Sequence, residues 1–334
     1  MSEETQTESS FPSERDPQEP ELQPEPEPGP APSLLEDLDE LQSPTSVKEL
    51  EAASAEAKVV IADAVAEAAV ANPSVPPLVA EPYIAFDKVS IAFGDRKILD
   101  NISFHVGRGQ TLCILGRSGV GKSVSLRILL GFLAADSGCI RVDGKEITTM
   151  HEAGLQEIRK QVTMVFQNGA LFDSLSVGEN IAFPLREKGG LAEDQIQQLV
   201  MRLLELVGAS ETIDLLPSSL STGQKRCIAI ARGLAAQPQA ILYDEPTTMV
   251  DPIMGRLIGD LIQRLKLQLG ITSIVVTHDM RFAMRLADLV LFLDSGTARF
   301  FGTIHEFQQC TDPHVLQFLT LDAYQLPVAN GSKR

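Results

Sequence analysis

Gly116-Arg-Ser-Gly-Val-Gly-Lys-Ser123 fits the pattern G-x-x-x-x-G-K-[ST], and the apolar run Thr111-Leu-Cys-Ile-Leu115 stands immediately before it. A strand, a glycine turn and then a helix form the setting in which such a loop wraps phosphate. Gly116, Gly119 and Gly121 let the main chain approach the anion closely. The following helix directs its first amides and positive dipole end at the same charge. Lys122 is placed to reach the β- and γ-phosphates, and the Ser123 hydroxyl to ligate Mg²⁺. Arg117, Ser118, Val120 and Val124 complete the nucleotide-binding loop. A glycine-rich turn alone can be merely structural; the strand and helix around this one favour phosphate.

Strand-sized apolar runs recur on either side of the loop. Tyr83-Ile-Ala-Phe-Asp-Lys-Val-Ser-Ile-Ala-Phe93 alternates apolar and polar residues, Gly94-Asp95 reads as a turn, and KILDNISFHV reads as a second strand. Further runs lie at Ile140–Val142, Val162–Phe166, Ala240–Tyr243, Ser273–Val276 and Leu289–Leu293, with helical patterns between several of them. Such alternation predicts an α/β fold with parallel strands at the centre of its sheet.

Two more stretches carry chemistry. Ala240-Ile-Leu-Tyr-Asp-Glu245 is an apolar strand ending in two carboxylates, closed by Pro246. Beside a phosphate loop, Asp244 completes the Mg²⁺ shell, through water because that ion keeps most of its hydration, and Glu245 aligns and polarises an attacking water. Leu220-Ser-Thr-Gly-Gln224 opens a stretch with helical apolar spacing, where Ser221 can cap the helix and Gly223 leaves main-chain amides open to an anion. In isolation, S-T-G-Q would be an ordinary helix start.

Composition sets limits. The net charge of −17 is concentrated at one end: residues 1–45 hold thirteen acidic residues against Arg15 alone. That Pro/Glu-rich segment cannot bury enough apolar surface to offset its ordering entropy and reads as a disordered tail. Residues 46–72 read as an Ala-rich exposed helix, with Ser46 and Glu49 in a capping-box pattern, and residues 73–81 as a linker. The body that follows has no basic excess of the kind nucleic acid requires. No apolar run has the length of a membrane span, and the N-terminus has no secretory pattern, so an intracellular chain is expected. Cys113, Cys139, Cys227 and Cys310 are widely spaced and read as separate reduced thiols.

Taken in order, the motifs resemble the ATPase subunit of ABC transporters. The likeness covers about Tyr83 to Leu319 and adds Gln167 after Met-Val-Phe, Asp251 beyond the carboxylate pair, and His278 in VVTHDM. It implies a P-loop NTPase of the ABC type over residues 82–320, with a RecA-like parallel core, an N-terminal antiparallel β subdomain and a helical signature subdomain at about 168–235; residues 321–334 would be a tail. It also implies ATP and Mg²⁺ as cofactors. By the same resemblance, Phe93 stacks on adenine, Gln167 senses the metal and the attacking water, and His278 contacts the γ-phosphate. Ser221 and Gly223 would touch the γ-phosphate bound to a second copy, and Asp251 would communicate across the pair. Two departures stand out: Thr222 replaces the usual first signature glycine, and Thr248-Met249-Val250 precedes Asp251 where Gly-Leu is common.

Because one chain carries one loop and one signature, the resemblance implies a homodimer driving a separate integral membrane permease, on the cytoplasmic face of the inner membrane. Gly169–Asn180, Phe183–Glu187, ILYDEPTTMVDPI and GTIHEFQQCTDPHVLQFL are similar to the MCE/Mla branch, which moves phospholipids or other lipids with MCE-domain partners. The alternatives are an importer ATPase for a small polar solute, a non-transport ABC ATPase and a non-catalytic regulatory subunit. Intact Lys122, Asp244, Glu245 and His278 oppose the last.

Overall fold

The computed structural model describes residues 82–323, with side chains placed through residue 320. The tail, helix and linker expected over residues 1–81, and the C-terminal tail beyond Ala323, lie outside the described residues.

The chain enters through a twisted hairpin. β1 (Ile84–Phe93) buries alternate residues and pairs antiparallel with β2 (Arg96–Val106), with Phe93 opposite Arg96. The two residues between them are Gly94-Asp95, and Gly94 has φ 59°, which the turn requires. β4 (Ser137–Val142) joins the free side of β1, and the short β5 (Lys145–Glu146) follows, completing an antiparallel sheet of order β2-β1-β4-β5.

A second sheet runs β10-β9-β3-β8-β7-β6. Its members are β3 (Thr111–Leu115), β6 (Val162–Val165), β7 (Ala240–Asp244), β8 (Thr272–Val276), β9 (Leu289–Asp294) and β10 (Thr297–Thr303). All neighbours are parallel except the β9–β10 hairpin. Every residue of β3, β7 and β8 is buried, which is why these strands read as continuous apolar runs rather than alternating ones. Their side chains divide by parity. Cys113, Leu115, Ile241, Tyr243 and Val275 join the core under the helices, while Leu112, Ile114, Leu242, Ile274 and Val276 join the core shared with the antiparallel sheet.

Helices cover both faces. α1 (Lys122–Leu129) follows β3, and α2 (Glu152–Gln161) precedes β6. Between β6 and β7 lie α3 (Val177–Lys188), α4 (Glu193–Leu206) and α5 (Thr222–Ala235). α6 (Pro252–Leu269) links β7 to β8, α7 (Met280–Leu286) links β8 to β9, and α8 (Ile304–Gln308) and α9 (Pro313–Ala323) close the chain. α5 is the most enclosed of these: ten of its fourteen residues are buried. Among the described residues all four cysteines are free, and no helix is long and apolar enough to cross a membrane.

Candidate functional site

The loops after β3, β7 and β8 leave the same edge of the parallel sheet, the edge where α/β sheets receive ligands. After β3, the chain turns through Gly116 (φ 147°), Gly119 (φ 81°) and Gly121 (φ 105°). A Cβ at Gly116 would lie 2.3 Å from the Leu293 carbonyl oxygen, and one at Gly121 would lie 2.6 Å from Leu99 Cδ2, so both positions exclude a side chain on space as well as backbone conformation. Gly121 caps α1, whose first turn therefore faces the loop.

Lys122 is only 5% exposed. Its Nζ donates to the carbonyls of Gly116 (2.9 Å) and Arg117 (3.1 Å) and stands 3.4 Å from Glu245 Oε1. The ammonium is thus held over the loop by three oxygens. One residue on, Ser123 Oγ donates to Asp244 Oδ1 at 2.6 Å. A hydroxyl and a carboxylate side by side form a hard-oxygen donor set that suits Mg²⁺, which takes few protein ligands and fills its shell with water and phosphate oxygens. Burial pushes the Asp244 carboxyl above its usual range; the Ser123 hydrogen bond opposes that shift and the neighbouring Glu245 charge adds to it.

Glu245 sits just past β7 at φ 48°, a conformation uncommon for a side-chain-bearing residue and found preferentially where function demands it. Its amide donates to the Val276 carbonyl (2.9 Å), extending the β7–β8 ladder by one residue. Its carboxylate is held from several sides: Thr248 Oγ1 donates to Oε2 at 2.9 Å, His278 Nδ1 stands 2.7 Å from the same oxygen, and Lys122 faces Oε1. His278 is more than half exposed at the end of β8, so its ring faces solvent as well as the carboxylate.

A cleft of about 390 Å³ gathers most of the residues expected from sequence. Ser118, Gly119, Lys122, Ser123 and Val124 form its floor, Gln167, Glu245 and His278 one wall, and Phe93, half exposed at the hairpin tip, its mouth. Gly116 contributes through its carbonyl and Val120 packs behind the loop. Gln167 and Asp244 also both line an adjoining cleft. Three expected residues lie elsewhere. Ser221 is exposed and caps α5, accepting from Gln224 N at 3.2 Å in a reciprocal capping box. Gly223 is buried against α6, and Asp251 caps α6 by accepting from the amides of Ile253 and Met254. Asp251 shares a larger cleft with Arg117, Ser118 and His278. Thr222 opens α5 in right-handed helical conformation, so the departure from glycine leaves its amide at the helix start.

Sequence reading missed Thr248. Its hydroxyl comes three residues after Glu245 within a turn closed by Thr248 N to the Glu245 carbonyl (3.2 Å), and that i, i+3 spacing was the available signal.

With this geometry in view, the similarity to known proteins is decisive. A profile of the ABC transporter family matches residues 99–248. The intermembrane phospholipid transport system ATP-binding protein MlaF of Haemophilus influenzae is 41% identical over 226 residues, which cover 68% of this chain and 86% of MlaF. The chain belongs to the ABC transporter family. The methionine import ATP-binding protein MetN of Brucella abortus is 38% identical over 221 residues, but the cassette spans only 60% of MetN. In structure, the cassette matches the dimeric post-hydrolysis state of the ATP-binding cassette MJ0796 bound to ADP and Pi, with a TM-score of 0.62 and 28% identity, covering 66% of this chain and 98% of MJ0796.

Proposed function

We propose that the cassette hydrolyses Mg-ATP as a homodimer and thereby drives a separate membrane permease in phospholipid trafficking. The observation that carries the catalytic part is the convergence of Lys122, Ser123–Asp244 and Glu245–His278 around one glycine loop.

Residue by residue, Gly116–Ser123 cradle the phosphates, with Arg117, Ser118, Gly119, Val120, Gly121 and Val124 shaping the loop. Phe93 offers a ring face to the base at the mouth of the cleft. Ser123, Asp244 and, through its amide, Gln167 would hold Mg²⁺, which when bound neutralises phosphoryl charge. Lys122 stabilises the same charge. Glu245 takes the proton of the attacking water, held in place by Thr248 and His278. Ser221 and Gly223 lie outside the lining of their own cleft and complete the one on a second copy, in an isologous pair that also brings Asp251 to the interface. ATP holds the pair closed and hydrolysis releases it, a two-state element able to move an attached permease.

The docking face for that permease is the segment after Gln167. Phe172 and Phe183 are both exposed, their ring centroids 5.0 Å apart, on a platform where large apolar side chains would otherwise be covered. The phospholipid branch rests on the likeness to MlaF over 86% of its length. The likeness to MetN supports small-solute import less well, because a large part of MetN has no counterpart. An MCE-domain protein as further partner, and a place on the cytoplasmic face of the inner membrane, follow from the same branch. The experiment is purification of the native complex through a tag on this chain. A multispanning permease with bound phospholipid is expected, and Lys122→Ala should abolish Mg-ATP turnover. A solute-binding protein in place of lipid would overturn the lipid assignment, and turnover in Lys122→Ala at the normal rate would overturn the site.

A further inference from the structure

Two arginines of α5 point inward at main-chain oxygens. Arg226 is 3% exposed, and its Nη1 donates to the carbonyl of Phe166 at 2.9 Å, the residue just before Gln167. Arg232 Nη1 donates to the Ala170 carbonyl at 2.9 Å and Nη2 to that of Gly169 at 3.3 Å, just beyond Gln167-Asn168. The second grip falls on a left-handed corner, Gly169 at φ 78° and Ala170 at φ 47°, the latter a strained conformation for a residue with a Cβ.

Holding this backbone with arginine is costly. Burial depresses the basicity of both guanidinium groups, which means the site works against their charge. Arg226 Nε is buried with no hydrogen-bond partner, beside the cleft that Gln167, Asp244 and Thr222 line. Simple loop support needs none of this. Neutral Asn180 fastens the next stretch, donating from Nδ2 to the carbonyls of Phe172, Leu175 and Ser176 and accepting from Phe172 N. What arginine adds is reach and a charged grip, from a helix in a different part of the fold.

We propose that Arg226 and Arg232 are positioning residues that tie the main chain flanking Gln167 to α5, and so couple the two ATP sites of a pair. Building on the homodimer reading, Ser221 at the head of α5 meets the nucleotide of the second copy. Arg226 lies five residues along the same helix, roughly 7.5 Å by the rise of an α-helix. Ten of the fourteen residues of α5 are buried, and on this proposal the helix moves as a rod. When its head is drawn onto the partner's nucleotide, its arginines carry Gln167 to the metal and water of its own site. Neither arginine touches nucleotide; both act through Gln167.

The test uses the full chain bearing Arg226→Met, Arg226→Lys or Arg232→Met, each compared with wild type in kcat, KM for Mg-ATP, affinity for a fluorescent ATP analogue and thermal midpoint. In Arg226→Met, kcat is expected to fall by about tenfold or more, the scale of one charge-assisted hydrogen bond, with analogue affinity within about twofold. Arg226→Lys keeps a donor for Phe166 and is expected to recover much of kcat while melting no higher than Arg226→Met, a split that a purely structural role would not produce. Arg232→Met, at a less buried position, is expected to show the same kcat-selective loss and serves if Arg226→Met does not fold. A folded Arg226→Met or Arg232→Met with kcat near wild type overturns the proposal. So does a kcat loss that follows the thermal midpoint alone, with no rescue by lysine. Absence of Mg-ATP turnover in wild type would instead overturn the underlying ATPase reading.

Discussion

Gly223 is expected to be a packing glycine as much as a phosphate-facing one, and Gly223→Ala separates the two roles. A Cβ at this position would lie 2.3 Å from Met254 Cγ, 3.2 Å from its Cβ and 3.4 Å from its Sδ. The nearest atom, Cγ, can move away only if Met254 changes its χ1 rotamer, and its Cβ is also within 3.2 Å, so relief takes more than a swing of the flexible tip. Overpacking of this kind costs about 1–3 kcal/mol. Alanine returns up to ~1 kcal/mol through its higher helix propensity, less in the first turn where Gly223 sits. With about half of that gain realised in the first turn, the net loss is about 0.5–2.5 kcal/mol, or a fall in thermal midpoint of roughly 1–10 °C for a domain of this size. The assay is a double-mutant cycle with Met254→Ala, read both as thermal midpoint and as Mg-ATP turnover. Truncating Met254 removes the clash, so the double variant should be more stable than the sum of the single changes, with a coupling of about 1 kcal/mol or more. If Gly223 also serves a partner's phosphate, turnover should remain depressed in the stabilised double variant. Additive losses in stability, with no coupling between the positions, would refute the packing argument.

Glu245→Gln removes the proton acceptor and the charge facing Lys122. Turnover should drop by about 10²–10⁴, while ATP binding holds or tightens because Lys122 loses a competing negative charge; rapid hydrolysis by this variant would remove Glu245 from the mechanism. Thr248→Val deletes one hydrogen bond to that carboxylate, and kcat should fall by up to about tenfold at constant KM; a change in KM alone would show that Thr248 serves binding. Asp244→Asn should abolish Mg-dependent turnover yet raise the thermal midpoint of the nucleotide-free chain at neutral pH. The folded carboxyl has a raised pKa, so its ionised form costs stability above that pKa and the cost fades as pH falls through it. The stability gap between wild type and Asp244→Asn should accordingly narrow on acidification, and a gap that widens would contradict the shift.

Much of the architecture could be read from residues. TLCIL, AILYD and TSIVV announced strands buried on both faces, and Gly94-Asp95 placed the first hairpin. The structure brings together the phosphate loop, the carboxylate pair and His278, each a polar group following an apolar strand; singly each has a structural explanation, and it is their combination that the sequence makes legible. The supporting contacts were less visible. An arginine in an amphipathic helix ordinarily reads as a solvated position, so nothing in KRCIAIARG showed that Arg226 and Arg232 turn inward to carbonyls some sixty residues earlier. The pairing of Gly223 with Met254 joins two helices whose packing no local pattern encodes. For Asp251 the sequence suggests a role between subunits, which stays a proposal; what the structure shows is its carboxylate capping α6, a contact the sequence reading did not include.

The amide of Glu245 bound to the Val276 carbonyl has a mechanical corollary. Glu245 and His278, two residues past Val276, leave neighbouring strands of a single hydrogen-bonded lattice, and their main chains are tied at that bond. In the proposed cycle, the shift between loaded and spent nucleotide is then borne by parts suspended from that lattice through side chains, while the hydrolytic pair stays as a stationary anvil.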